Sequence, residues 1–300
     1  MSGATVVVIG DVMVDIVVVP DGPLAPGSDT ASTIRTTGGG SAANTACWLA
    51  AAGQAASLVA AVGDDDLGRT TIAALGDAGV AWAGAVLPGE RSGACVVLVD
   101  SEGERTMLPD RGANDRLPVG AVEAAVDRRP AWVHLSGYAL LHPGSRAAGR
   151  RAVELATKAG LPWSVDASSA SPLEALGAEA FLGWIDGCTV LFANDDELRT
   201  LGGEAAVRGR VGALVAKHGP EGATWIDAEG RVDVPAVPTT VVDTVGAGDA
   251  LDAGVIAARL RGLDPRGALE AGTAVAARAV SQSGARPRPA EAHEALPSSG

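Results

Sequence analysis

Short runs of apolar residues alternate along this chain with Ala-rich stretches of helical length. Runs such as TVVVI predict strands at residues 5–9, 57–62, 132–136, 163–166, 189–192 and 213–217. The Ala-rich stretches predict helices at 42–52, 67–78, 145–159, 172–182, 247–260 and 265–281. A strand that is apolar at every position suits a sheet covered by helices on both faces. Strands alternating with helices of crossover length point to an α/β fold with a largely parallel sheet.

Two stretches break the alternation. Segments 15–19 and 31–36 read as strands around the Pro/Gly loop PDGPLAPGSD, and 94–100 and 105–109 flank Ser-Glu-Gly-Glu. Such turn residues between β-branched runs are hairpin signals. Neither pair is followed by a crossover helix, so together they can form a small antiparallel sheet outside the main one. Read alone, this sheet suits a lid over a site and a peripheral ornament equally well. The tail from Ala285 onward is rich in Pro, Ala, Ser and Gly, and its last residues are expected to fray.

Hydrophobic residues make up 47% of the 300 residues and charged residues 20%, ordinary values for a folded soluble protein. A net charge of −13 argues against a nucleic-acid partner, which demands a basic face. It leaves room for a small anion in a locally positive site. Cys47, Cys95 and Cys188 are odd in number and widely spaced, so zinc binding and a disulfide framework are not expected. No apolar run approaches ~18 residues and no basic leader precedes the first strand, so the reading is cytoplasmic, with no membrane partner. Lys158 and Lys217 are the only lysines among 23 basic residues.

The most informative stretch is DTVGAGD, residues 243–249, which leads directly into a predicted helix. A Gly-rich turn at a helix start leaves the N–H groups of Gly246, Ala247 and Gly248 open at the positive end of the helix. Such a nest binds anions. Asp249 places a carboxylate at the same spot. That is odd for a mere phosphate cradle, and apt for a base that takes a hydroxyl proton as the oxygen attacks phosphorus. The plain alternative is a turn with an acid in the first helical turn.

The string resembles the C-terminal signature of the PfkB-type, or ribokinase-like, carbohydrate kinases, and the resemblance runs from about Val6 to Arg286. Other stretches resemble the family in the right order: GDVMVD at 10–15, GGGSAANTA at 38–46, RGAN at 111–114, ANDDE at 193–197 and KHGPEGA at 217–223. The resemblance implies a ribokinase-like three-layer α/β sandwich, with a mostly parallel central sheet flanked by helices and a small antiparallel β-lid. Residues 1–300 would form one kinase domain, with lid strands inserted at about 13–37 and 91–112.

The implied activity is transfer of phosphate from ATP to a hydroxyl of a small sugar or nucleoside. Asp249 would be the base, and Gly246, Ala247 and Gly248 the anion hole. Asp15 and Asn44 would hold substrate hydroxyls beside Gly39 and Gly40, although a solvent-facing acid and a helix-terminal residue are the plainer readings. Asn194 and Glu197 would hold Mg²⁺ through waters; a capping box is the competing reading, and both can hold at once. Gly219 and Gly222 would let backbone pass close to adenine and ribose. Lys217 either touches phosphate or merely ends a strand. Asp243 and the backbone of Val245 are the candidates for a monovalent cation such as K⁺. Lid edges that pair with a second subunit would give a homodimer.

Rival classes fare worse. A nicotinamide-dependent Rossmann enzyme needs G-x-G-x-x-G after the first strand, where this chain has GDVMVD. A P-loop needs a lysine after glycine, and neither lysine follows one. An inactive sugar- or nucleotide-binding protein on the kinase fold would be expected to lack Asp249. For the acceptor, Ser41 stands where ribokinases usually carry lysine, and DASS at 166–169 replaces the D-x-N-x-R type of segment. The RGAN segment and the hairpins lean towards a furanose, free or within a nucleoside such as pseudouridine.

Overall fold

The computed structural model describes residues 5–288 of the chain. Strand β1 (Val6–Ile9) opens the main sheet, and the hairpin β2 (Met13–Pro20) and β3 (Ser32–Gly39) then leaves it. Helix α1 (Ser41–Ala51) returns the chain to β4 (Ala56–Val59), followed by β5 (Ala61–Gly63), α2 (Asp66–Asp77), β6 (Val80–Trp82) and β7 (Ala85–Leu87). A second hairpin, β8 (Ala94–Val99) and β9 (Arg105–Asp110), precedes α3 (Val119–Val126) and β10 (Trp132–Ser136). Next come α4 (Tyr138–Leu141), α5 (Arg146–Lys158), β11 (Trp163–Asp166), α6 (Ala170–Leu176) and α7 (Ala178–Trp184). Strand β12 (Val190–Asn194), α8 (Asp195–Thr200), α9 (Glu204–Val207) and β13 (Ala213–Lys217) follow. The hairpin β14 (Ala223–Asp227) and β15 (Arg231–Val234) and the helices α10 (Ala247–Leu260) and α11 (Pro265–Val280) complete the described chain.

Among the described residues the main sheet has nine strands in the order β15-β14-β13-β12-β11-β10-β1-β4-β6. It is parallel from β6 to β13 and antiparallel across β13, β14 and β15. The apolar runs of the sequence now have their reason. Successive side chains of a strand point to opposite faces, and Val6 and Val8 enter one core while Val7 and Ile9 enter the other. Strand β12 divides in the same way, with Val190 and Phe192 on the side of α1, α10 and α11, and Leu191 and Ala193 on the side of α3 and α5.

The two hairpins meet in a separate four-stranded sheet of order β3-β2-β8-β9. Each hairpin is antiparallel, and they join through a parallel β2–β8 pair. Met13, Val17, Cys95 and Val97 give this sheet its own small core.

Two predicted elements are altered, and two strands were not predicted. Residues 57–62 split at Ala60, so that β4 pairs with β1 in the main sheet and β5 pairs with β7. An unbroken apolar run cannot reveal a change of pairing partner. The helix expected at 172–182 breaks into α6 and α7 at Gly177, whose φ of 93° is left-handed. Strands β14 and β15 went unread, because ATWID and RVDV mix charge with β-branched residues. The last part of the Pro- and Ala-rich tail lies outside the described residues.

Candidate active site

The carboxyl ends of the parallel strands converge on one cleft, the expected ligand position in a sheet of this kind. Asp11 follows β1, Tyr138 follows β10, and Asp166, Asn194 and Lys217 end β11, β12 and β13. Lid residues Met13, Asp15 and Met107 face them across a cavity of about 620 Å³. That is room for a small organic ligand.

Asp249 sits in the first turn of α10, immediately after the turn at Gly246, whose φ of 77° is left-handed. A side chain at Gly246 would press on the Ala285 backbone, its Cβ 2.7 Å from the carbonyl oxygen. No side chain caps this helix end, so its first N–H groups have no intrahelical acceptor. Ala247 departs from expectation, because it donates its N–H to the Thr244 carbonyl at 3.3 Å. The Asp249 carboxylate accepts hydrogen bonds from Ser41 Oγ at 2.8 Å and Asn44 Nδ2 at 2.9 Å. Burial still dominates, and with help from the Asp166 charge it pushes Asp249 up to about 7 against those two donors. A carboxyl poised there can exchange a proton near neutrality.

Beside it lies a charged cluster. Lys217 Nζ is ion-paired with Asp166 and lies 3.4 Å from Asp252 Oδ1. The Lys217 ammonium also borders Gly248, where an added Cβ would be 3.2 Å away. Burial opposes the charge on Lys217, but Asp166, Asp252 and Glu197 outweigh it and raise its pKa. Burial likewise opposes ionisation of Asp166, yet Lys217 holds that carboxyl down at about 2. Burial raises Asp252 well above the usual carboxylate range; Lys217 opposes the rise, and the neighbouring Asp166 adds to it by its charge and by a side-chain hydrogen bond. The Lys217 ammonium thus sits between two buried carboxyl groups, next to the turn that opens α10.

At the lid end, Asp15 is pushed up to about 6 by burial and by neighbouring Asp11, with Arg286 working the other way. Its carboxylate fills the space a Cβ at Gly39 would need, which gives Gly39 its reason. Arg286 donates from Nη2 to the Gly39 carbonyl at 2.6 Å and from Nε to Asn44 Oδ1 at 3.2 Å. Asn44, expected at substrate hydroxyls, therefore spends both ends of its amide on Arg286 and Asp249. It still lines the cavity, as does Gly40.

Asn194 and Glu197 form a full capping box on α8. Glu197 N donates to Asn194 Oδ1 at 2.9 Å and Asn194 N donates to Glu197 Oε2 at 2.8 Å. Burial, with the Asp166 charge, pushes Glu197 up to about 7. Among the described residues no three His, Cys, Asp or Glu side chains cluster tightly enough to hold a metal directly. The donor set fits Mg²⁺ held through its own waters, since each Glu197 oxygen accepts one hydrogen bond from Asn194 and keeps a second lone pair.

Asp243 does not fit a monovalent cation. Its Oδ1 accepts from Arg105 Nη2 at 2.8 Å and Val245 N at 2.9 Å, and its Oδ2 accepts from Gly284 N at 3.0 Å. The guanidinium already supplies the positive charge there. Val245 itself lines the cavity. Gly219 also reaches the cavity wall, but Gly222 does not, and a Cβ at Gly222 would collide with the Val234 carbonyl. Packing of β14 against β15 explains Gly222.

Several cavity residues escaped the reading as site residues: Asp11, Arg111, Tyr138, His142, Asp166 and Ser168. Asp11 stands directly after the first strand, a position that could have been read. Ser168 is a non-glycine residue at φ 69°, a strain of the kind found at functional sites and invisible in sequence.

Residues 4–292 match the family described as pfkB family carbohydrate kinase. The chain is 33% identical over 276 residues to an ATP-dependent ribose-1-phosphate kinase of Halopiger xanaduensis, covering 89% of this chain and 88% of that one. It is 30% identical to fructokinase-1 of Oryza sativa over 71% of this chain and 70% of that relative. Among solved structures it resembles the adenosine kinase of Sinorhizobium meliloti, with a TM-score of 0.85 and 25% identity over 95% of this chain and 96% of the other. An Arabidopsis thaliana ribokinase complexed with ribose and ATP shares the fold at a TM-score of 0.78 and 23% identity, covering 97% of each chain.

Proposed function

The chain belongs to the pfkB family of carbohydrate kinases, and on that premise we propose that it phosphorylates a hydroxyl of a ribofuranose, free or substituted, using ATP. The observation that carries this reading is the Asp249 carboxyl, held by Ser41 and Asn44 at the uncapped start of α10. The relative named for ribose 1-phosphate and the neighbour named for adenosine share a ribofuranose. A ribosyl acceptor such as ribose or pseudouridine remains within that class.

Ionised Asp249 accepts the proton of the acceptor hydroxyl as its oxygen bonds to the γ-phosphorus of ATP. The bridging P–O bond breaks and ADP leaves with its electron pair. Charge on the transferring oxygens meets the first-turn N–H groups of α10, Gly246 and Gly248 among them, and the Lys217 ammonium. Asp15 and Asp11 accept hydrogen bonds from acceptor hydroxyls at the lid end. Gly219 borders the nucleotide. Mg²⁺, when bound, neutralises phosphate charge, and Asn194 and Glu197 would hold it through waters. The lid keeps water, a competing nucleophile, from the phosphoryl group.

Ile34 and Leu108, 63% and 53% exposed on the lid strands, are the surface on which we propose that two lids meet in a homodimer. A single-chain mass in sedimentation equilibrium refutes it.

ADP formation from Mg·ATP against pentoses, hexoses, pentose phosphates and nucleosides tests the kinase reading. Asp249→Asn is expected to lower turnover by about 10²- to 10⁴-fold. Equal turnover by the variant, or no stimulation by any acceptor, sinks the proposal and favours a binding protein on the same fold.

A further inference from the structure

The lid end of the cavity holds an arginine whose charge a neutral sugar does not need. Arg111 follows β9, and its backbone carbonyl accepts hydrogen bonds from Asn114 N at 3.0 Å and Nδ2 at 2.9 Å. Asn114 is buried and clamps Val12 by both its N–H and its carbonyl, at 3.0 and 2.9 Å. Arg111 is thereby tied to the segment that carries Asp11 and Asp15. Its Nε donates to Asp115 Oδ1 at 2.8 Å, and among the described residues no acceptor is hydrogen-bonded to either Nη group. The side chain is only 12% exposed, and its guanidinium carbon lies 5.7 Å from the Tyr138 ring centroid. His142 stands beside the same ring, with centroids 5.7 Å apart. All three side chains line the cavity.

Burial, with the Arg111 and Arg146 charges, lowers His142, while Asp115 and Asp11 work the other way. Arg146 is not available to a ligand through Nε or Nη2, which donate to the Leu140 and Leu141 carbonyls at 2.9 and 2.7 Å. Two carboxylates, Asp11 and Asp15, suffice for sugar hydroxyls. A planar guanidinium with both Nη groups open, next to an imidazole, is the donor set for a second anion. The lid end suits a nucleobase poorly. Tyr138 is the one phenyl or indole ring in the cavity wall among the described residues, Arg111 already lies over it, and its hydroxyl is held by Ser169.

We propose that the acceptor is a ribofuranose that already carries a phosphate, with Arg111 and His142 on that phosphate and the free hydroxyl directed at Asp249. This rests on the kinase reading above. The new O–P bond forms at the hydroxyl oxygen, the β–γ bridging bond of ATP breaks, and the products are ADP and a sugar bisphosphate.

Full-length enzyme with Mg·ATP is assayed with ribose, ribose 1-phosphate, ribose 5-phosphate, adenosine and pseudouridine. One sugar phosphate is expected to exceed ribose and both nucleosides in kcat/KM by about 10- to 100-fold, the worth of charge-assisted hydrogen bonds to one anion. Arg111→Gln is expected to raise KM for that sugar phosphate by a similar factor while kcat stays within a few-fold, and inorganic phosphate is expected to compete with it in the wild type. The acceptor ranking and the phosphate competition need no variant, so a poorly folding Arg111→Gln leaves the test intact. Ribose or a nucleoside outranking both sugar phosphates overturns this inference alone. If no acceptor is turned over, the kinase reading falls and this inference falls with it.

Discussion

Asp249 shows how a single residue carries two opposed demands. Burial pushes its carboxyl up to about 7 from an ordinary 3.8, and a general base acts only when ionised. Turnover is therefore expected to rise with pH through about 7 and to flatten above it. The stability effect has the opposite sign. Between about pH 3.8 and 7 the folded chain holds this proton and the unfolded chain does not, so stability contributed here falls as pH rises, and the deficit persists above 7. Asp249→Asn removes the buried charge and keeps an acceptor for Asn44, so it is expected to raise the melting temperature at pH 8 while losing turnover. A lower melting temperature for the variant would show that the carboxylate stabilises the fold, contrary to this account.

At the scale of an element, helix α8 does two jobs with one pair of residues. The Asn194–Glu197 box satisfies backbone groups at the helix start, and the same carboxyl faces the cavity. The two jobs separate by substitution. Asn194→Ala loses the cap and is expected to cost about 1 kcal/mol in chemical denaturation. Glu197→Gln keeps a residue that can close the box but removes the charge. Its apparent Mg²⁺ affinity is expected to fall about 10- to 100-fold with little loss of stability, by analogy with residues that act on a metal from outside its direct ligands. A Glu197→Gln enzyme with unchanged Mg²⁺ dependence would reduce this pair to a helix cap.

At the scale of the whole molecule, the ion pair Arg105–Asp243 joins lid strand β9 to the loop that leads into α10. Asp243 is buried, while Arg105 keeps a quarter of its side-chain surface. Removing the arginine strands a buried carboxylate, and Arg105→Ala is expected to cost about 3 kcal/mol. The wild type is expected to work equally well in K⁺ and in tetramethylammonium buffers, because the Arg105 guanidinium already neutralises Asp243. In the variant a preference for K⁺ is expected to emerge, and acceptor-independent ATP hydrolysis to rise as the lid loosens. A wild type that is inactive without K⁺ would contradict this account of the Arg105–Asp243 pair.

The sequence alone determined the layered α/β architecture, because apolar runs and Ala-rich stretches encode burial on both sheet faces residue by residue. It also marked the turn at Gly246 and the acid at Asp249, since a left-handed turn, a helix start and a carboxylate are local features that a short string can carry. The lid hairpins were legible for the same reason. What the tertiary structure decided is everything that depends on which distant segments meet. Lys217 between Asp166 and Asp252, Arg105 on Asp243, Arg286 on Gly39 and Asn44, and Arg111 beside Tyr138 and His142 join residues 27 to 247 positions apart. No periodicity or motif records such pairings. They arise because the strand ends converge on one cleft, where burial in common makes distant charges answer to one another.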